Sequence, residues 1–151
     1  MADVVDPATR SRMMAGIQGK NTAPEILVRR GLHARGFRFK LHDRRLPGRP
    51  DLVLPKYRAV IEVNGCFWHG HGCHLFKWPS SRREFWSEKI SSNVARDQRN
   101  ASALHQLGWR ILVIWECAIK GTARQGADAV VDAAVEWLQS GQSRGEIRGI
   151  S

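Results

Sequence analysis

This 151-residue chain is poor in cysteine and tyrosine, with three and one, and it has no long apolar stretch. Its longest fully apolar run, Ile111 to Trp115, is five residues. A helix crossing a bilayer takes about 20, so a membrane-spanning helix is not expected. No charged start followed by an apolar segment marks a secretory leader. Three cysteines cannot pair completely, which argues against a disulfide framework and for a cytoplasmic setting where thiols stay reduced. Internal repeats, low-complexity tracts and linker-like stretches are also absent. The length matches one domain with one core. We read residues 1–138 as that domain, with a separate N-terminal segment over about 1–20, and the polar, Gly-rich residues 139–151 as a loose tail.

What the chain has in excess is positive charge. Lys and Arg total 24 against 14 Asp and Glu, a formal net charge of +10. The excess is uneven: residues 1–50 carry 11 basic and 4 acidic side chains, whereas residues 101–151 carry 5 of each. A lopsided basic field of this size fits a polyanionic partner, most often nucleic acid.

Local signals define the elements. Asp6-Pro7 predicts a short helix to about Ala15, and the capping box Thr22-Ala23-Pro24-Glu25 predicts a second, closed by Gly36. Phe37 to His42 alternates as a half-buried strand would. Asp51 to Leu54 and Arg58 to Val63 read as short strands around a Pro55-Lys56 turn. Ser81-Arg82-Arg83-Glu84 is a further capping box opening a long helix, with Trp86, Ile90, Val94, Ala101 and Leu104 on one stripe up to Gly108. Arg110 to Trp115 reads as a buried strand and Ala127 to Leu138 as a last amphipathic helix. The order implies an α/β fold, a central mixed sheet flanked by helices.

Chemistry concentrates in residues 51–73. Pro50-Asp51 and Glu62-Val63-Asn64 lie on two strands joined by a tight turn, so Asp51 and Glu62 can approach one point. Paired carboxylate oxygens suit Mg²⁺, which takes one or two carboxylates together with substrate phosphate and polarises a phosphodiester. A turn aspartate and a solvated strand glutamate would leave the same trace. Cys66, His71 and Cys73 share one Gly-rich loop, and Cys117 follows the strand ending at Trp115. Structural Zn²⁺ wants four such sulfur or nitrogen ligands, and this set uses every cysteine; His69 and His74 compete for the histidine place. Phe67-Trp68 beside a basic surface can stack on bases or plug the core. Met13, Met14 and Ile17 pose the same choice between core packing and a minor-groove wedge.

Several runs together resemble the very short patch repair (Vsr) endonucleases. They are Leu46-Pro47-Gly48-Arg49-Pro50-Asp51, Asn64-Gly65-Cys66-Phe67-Trp68-His69, Phe85-Trp86-x-x-Lys89-Ile90 and Gly108-Trp109-Arg110-(x4)-Trp115-Glu116-Cys117. The opening Met1-Ala2-Asp3-Val4 and Thr9-Arg10-Ser11 match as well, and the likeness runs from residue 1 to about 138. The resemblance implies a restriction-endonuclease-like PD-(D/E)xK core with a structural zinc site. It implies an enzyme that nicks DNA 5′ to the T of a T:G mismatch left by 5-methylcytosine deamination.

Residue by residue, the resemblance makes Asp51 the metal-binding carboxylate and the Val63 carbonyl a second ligand. His69 becomes a general base or water-orienting group, a role suited to a side chain that titrates near neutral pH. Glu25 joins the same network, and Cys66, His71, Cys73 and Cys117 hold Zn²⁺. Phe67, Trp68 and Trp86 intercalate beside the mismatch, Met14 and Ile17 enter the minor groove, and Lys89 and Asn93 lie close to the mismatched pair. One departure stands out: Asn64 occupies the place of a second family histidine, and an amide cannot exchange a proton near pH 7. Glu62 sits where the wider superfamily has its second acidic residue. The expected partner is double-stranded DNA with a T:G mismatch, with other repair proteins and no membrane, and the expected state is a monomer. A same-fold nuclease of other specificity and a zinc-containing DNA-binding module without catalysis are the alternatives.

Overall fold

The computed structural model describes residues 21–150; the N-terminal helix expected from Asp6-Pro7, with Met14 and Ile17, lies outside the described residues. The first described helix, α1 (Ala23–Ala34), starts as its capping signal requires. The Thr22 hydroxyl accepts from the Glu25 amide at 3.4 Å. Glu25 Oε1 accepts in return from the Asn21 amide at 3.1 Å, one residue earlier than in the usual box. Its Val28 and Leu32 are buried.

Five strands form one sheet in the order β1 (Lys40–Leu41), β2 (Leu52–Leu54), β3 (Ala59–Asn64), β4 (Arg110–Trp115) and β5 (Arg144–Ile147). β1, β2 and β3 are antiparallel neighbours, whereas β4 runs parallel to β3 and β5 parallel to β4. The sheet is therefore mixed, as expected. The crossover between β3 and β4 carries α2 (Arg83–Gln106), and that between β4 and β5 carries α3 (Ala127–Gln139).

Strand alternation divides the core. Leu52, Leu54, Ile61, Leu112 and Ile114 join Val28 and Leu32 of α1 and Val130, Val131, Ala134, Trp137 and Leu138 of α3 in the larger cluster. Val53, Val60 and Ile111 turn the other way and meet Leu104 of α2 in a smaller one. At ~25 cal/mol per Å² of apolar surface removed from water, the larger cluster, with many more buried side chains, contributes more than the smaller one. The strand alternation also points Glu62 and Asn64 of β3 toward the α2 side, beyond the end of the smaller cluster.

Three expectations need correction. The segment from Phe37 to His42 contributes only Lys40–Leu41 to the sheet, because Phe37 turns into the core and packs at a tilt against Tyr57, 5.5 Å between ring centres. The Ser81 capping box does not form: Arg82 stands at the start of α2 in a left-handed conformation, with no side-chain cap bond. Most important, the C-terminal tail is not loose. Arg144–Ile147 is the fifth strand, and Ile147 is buried. Its polar, Gly-containing composition hid it because pairing with β4 is non-local. Gly145 is small for a packing reason, since a Cβ there would run into the Trp137 indole.

Arg110 fastens this end of the sheet. Its guanidinium donates to the carbonyls of Trp137 and Ser140 at 2.8 Å and of Leu138 and Tyr57 at 3.1 Å, and its Nε donates to Gln142 at 2.8 Å. Carbonyls at the C-terminus of α3 have no partners within the helix, so one half-buried cation satisfies several of them at once. Among the described residues no helix is long and apolar enough to cross a membrane.

Candidate active site and metal cluster

A cavity of about 300 Å³ opens where β2 and β3 meet α2. It is lined by Asp51, Glu62, Val63, Asn64 and His69, with Arg44 and Arg49 at its rim and Asp97 and Asn100 from α2. Asp51 precedes β2, and its Oδ2 accepts from the Val63 amide at 2.7 Å, which fixes the carboxylate against β3. Behind it stands Glu25, almost fully buried. Glu25 Oε2 accepts from Arg29 at 2.9 Å and lies 2.9 Å from His42 Nε2, which is itself 3.9 Å from Asp51. Ligating atoms of Glu25, His42 and Asp51 all fall within 4.8 Å of one another. Glu62 is not part of that triplet; it lines the same cavity with Asp97 and His69.

The electrostatics are those of a site short of positive charge. Burial, with Glu25 and Glu62 nearby, raises the Asp51 carboxyl well above its ordinary range. Burial and the neighbouring Asp97 raise Glu62 as well. A hard divalent cation among these oxygens would relieve both, so the residues present fit one. Arginines at the rim are placed to hold phosphate.

His69 reaches the cavity from the loop after β3, and its Nδ1 lies 2.5 Å from Asp97 Oδ2. A carboxylate accepting Nδ1–H leaves the lone pair on Nε2 free to take a proton, as a general base requires. Sequence reading missed Asp97, His42 and Asn100. Asp97 was findable: Asn93, Asp97 and Asn100 follow helical spacing along one face of α2. His42 gave no signal beyond ending an alternating segment.

The second cluster lies at the far end of the same loop. Donor atoms of Cys66, His71, Cys73 and Cys117 all fall within 4.8 Å of one another, and three of the four residues are buried. Nested turns build it: the His71 amide donates to Cys66 O and the Cys73 amide to His71 O, each at 2.9 Å. Gly70, at φ +63°, brings the loop so close to α2 that a Cβ would lie about 3.0 Å from Ile90. The His71 ring stacks flat on Trp115, 4.0 Å between centres. Burial pushes the Cys66 thiol up and holds the His71 imidazole below its ordinary value. Thiolates stay ionised in such surroundings only beside a cation, so this donor set fits a tetrahedral ion of the zinc type.

Between the two clusters the loop and α2 share an aromatic patch. Trp86 lies 5.4 Å from Phe67 and 5.6 Å from Trp68, with Phe76 stacked on Phe67 at 5.8 Å and Phe85 5.2 Å from Trp86. Phe67, Trp68 and Trp86 are only partly buried, so they are available to stack on something outside. Asn93 Nδ2 donates to the Trp68 carbonyl at 2.9 Å, holding the loop. Lys89 is exposed one turn away.

A carboxylate pocket with a paired histidine, arginines at its rim and an aromatic patch beside it defines a nuclease of the α/β class. The comparisons with known proteins make that class specific. Residues 2–75 match the family described as DNA mismatch endonuclease Vsr. Over 138 residues the chain is 49% identical to the DNA mismatch endonuclease Vsr of Escherichia coli (strain K12), covering 91% of this chain and 88% of that protein. It is 50% identical over 119 residues to the type II nicking enzyme V.XorIIP of Xanthomonas oryzae pv. oryzae, covering 79% and 88% of the two chains. The type II nicking enzyme V.NmeAIP of Neisseria meningitidis serogroup A is 43% identical over 123 residues, 82% and 88% of the chains. The chain belongs to the Vsr family of DNA mismatch endonucleases. It is a DNA endonuclease, and the non-catalytic binding module is set aside.

Proposed function

We propose that this enzyme nicks one strand of duplex DNA 5′ to the T of a T:G mismatch, the product of 5-methylcytosine deamination. The observation that carries the reading is the facing of Asp51 and the His69–Asp97 pair across one cavity, with Phe67, Trp68 and Trp86 alongside. The surrounding fold is of the restriction-endonuclease-like PD-(D/E)xK kind, and the enzyme works as a cytoplasmic monomer. Asp51, the Val63 carbonyl and Glu62 would hold Mg²⁺, and Cys66, His71, Cys73 and Cys117 a structural Zn²⁺. When bound, Mg²⁺ supplies charge neutralisation at the phosphodiester and helps activate water.

The chain's own residues do the rest. His69 accepts a proton at Nε2, Asp97 holds its ring, and Glu25 with His42 supports Asp51 from behind. Asn64 donates a hydrogen bond toward a phosphate oxygen and takes no part in proton transfer. Arg44 and Arg49 hold phosphates and make binding salt-dependent. The aromatic patch pries at a base step. A T:G wobble stacks poorly, so opening the step beside it costs less than opening matched DNA, and that difference becomes selectivity. Lys89 contacts the pair opened there, and Met14 and Ile17 press from the minor groove.

The test is a gel assay on a labelled duplex bearing one T:G mismatch in a cytosine-methylation site, beside the matched duplex. A single nick 5′ to the mismatched T, lost in Asp51→Ala and without Mg²⁺, is the expected result. Equal cutting of the matched duplex would replace this reading with a less selective nuclease.

A further inference from the structure

We propose that residues 144–150, β5 and the turn after it, form the outer shell of the zinc site. In this arrangement Glu146 orients His71, the Gly149 N–H holds the Cys117 sulfur, and zinc binding and docking of the last strand are one coupled event. The proposal rests on the reading of the Cys/His cluster as a zinc site.

Three observations carry it. First, His71 Nδ1 lies 3.7 Å from Cys117 Sγ and so faces the cluster. That leaves Nε2 buried with no hydrogen-bond partner among the described residues. Glu146 Oε1 stands 3.7 Å from it, too far for a hydrogen bond but within reach of a small side-chain shift. A metal-bound imidazole holds its second N–H against a carboxylate or carbonyl, which fixes tautomer and ring orientation. Glu146 is the carboxylate in place for that role.

Second, the Gly149 amide lies 3.3 Å from Cys117 Sγ and donates to it. An N–H aimed at the sulfur fixes its direction toward the cluster. Glycine is required there, because a Cβ would lie 2.7 Å from the Cys117 carbonyl oxygen and 2.9 Å from that of Ala123. Third, the segment is tied to both sides of the cluster. Arg148 donates to the Gly72 carbonyl at 3.3 Å, within the ligand loop. The Ile150 amide donates to Ala123 O at 2.7 Å, and Gln125 to Arg148 O at 2.5 Å, beyond Cys117. A strand that merely closed the sheet would need none of these bonds.

The experiment uses the full-length protein. Its zinc content is measured by atomic emission, and zinc release is followed with excess 4-(2-pyridylazo)resorcinol. Glu146→Gln and Gly149→Ala are compared with Glu136→Gln, an exposed change on α3. We expect one zinc per chain, with release accelerated about tenfold or more in Glu146→Gln and Gly149→Ala, the scale on which outer-shell changes act. The control should stay within about twofold. Hydrogen exchange on wild-type protein should show the amides of Ile147 to Ile150 losing protection once zinc is stripped. Glu146→Gln keeps the side chain's size at a half-exposed position, so it folds even if Gly149→Ala does not. Zinc bound at one per chain but released at wild-type rate from both variants would overturn the coupling and leave the zinc site standing. A protein that holds no zinc would overturn both.

Discussion

Replacing Asp97 by asparagine should leave DNA binding nearly unchanged and slow nicking by about 10²–10⁴-fold, the range a positioned acid or base supplies. The side chain sits on α2 with Oδ2 2.5 Å from His69 Nδ1. Its carboxylate does two things that an amide cannot. It accepts Nδ1–H with full negative charge, and it neutralises the imidazolium that forms once Nε2 has taken a proton. Asparagine can accept the same hydrogen or offer N–H instead, which selects the tautomer whose Nε2 is already protonated. At 1.36 kcal/mol per factor of ten, the expected loss corresponds to about 2.7–5.4 kcal/mol of barrier. Single-turnover nicking of a labelled mismatched duplex gives the rate, and fluorescence anisotropy on the same duplex gives Kd. Because Asp97 acts through His69, the His69→Ala/Asp97→Asn double variant should be no more than about threefold slower than His69→Ala alone, as for residues that act as a unit. A full rate in Asp97→Asn, or losses that multiply in the double variant, would refute the pairing.

Three further outcomes follow from the structure. Asp51 and Glu62 are both raised in the fold, so the native state favours their protonated forms. Their contribution to stability is present below the unfolded-chain values near 4 and is lost as pH rises through the folded values. Mg²⁺ should therefore raise Tm at pH 7.5 and change it little at pH 4.5, and Asp51→Asn should raise the metal-free Tm at neutral pH; calorimetry showing the opposite order would contradict the crowded-carboxylate picture. Trp68→Ala should weaken binding to the mismatched duplex by about 5–150-fold, the worth of one stacked base. Matched-duplex binding should change far less, and an equal loss on both would reject the wedge. Arg110→Met removes the guanidinium that holds five carbonyls, four of them around the end of α3, and should cost about 2–3 kcal/mol, read as a drop in Tm of roughly 5–10 °C. An unchanged Tm would mean that water replaces those bonds.

Local and periodic features were legible in the sequence. The Thr22–Glu25 cap, the apolar β4 run and the amphipathic α3 each depend on residues close in the chain, and each forms nearly where the pattern places it. The cysteine and histidine spacing around Cys66 could be read for the same reason: three donors come from one loop. That Asp51 and Glu62 line one cavity was foreseeable because a short turn joins their strands, whereas the grouping of Asp51 with Glu25 and His42 was not. Pairings distant in the chain were not. β5 looked like a loose end because an edge strand next to β4 needs no apolar pattern of its own, and only the packed Trp137 and the partner strand define it. His42 gave no local sign of its role, since it acts on a carboxylate 17 residues away, and Asp97 showed only its helical spacing with Asn93 and Asn100, its imidazole partner lying 28 residues away. Sequence by itself determined which chemical groups this protein owns and which short segments carry a helix or strand pattern. The tertiary structure decided which of those groups meet, because long-range contacts form only when the hydrophobic faces of sheet and helices are buried together.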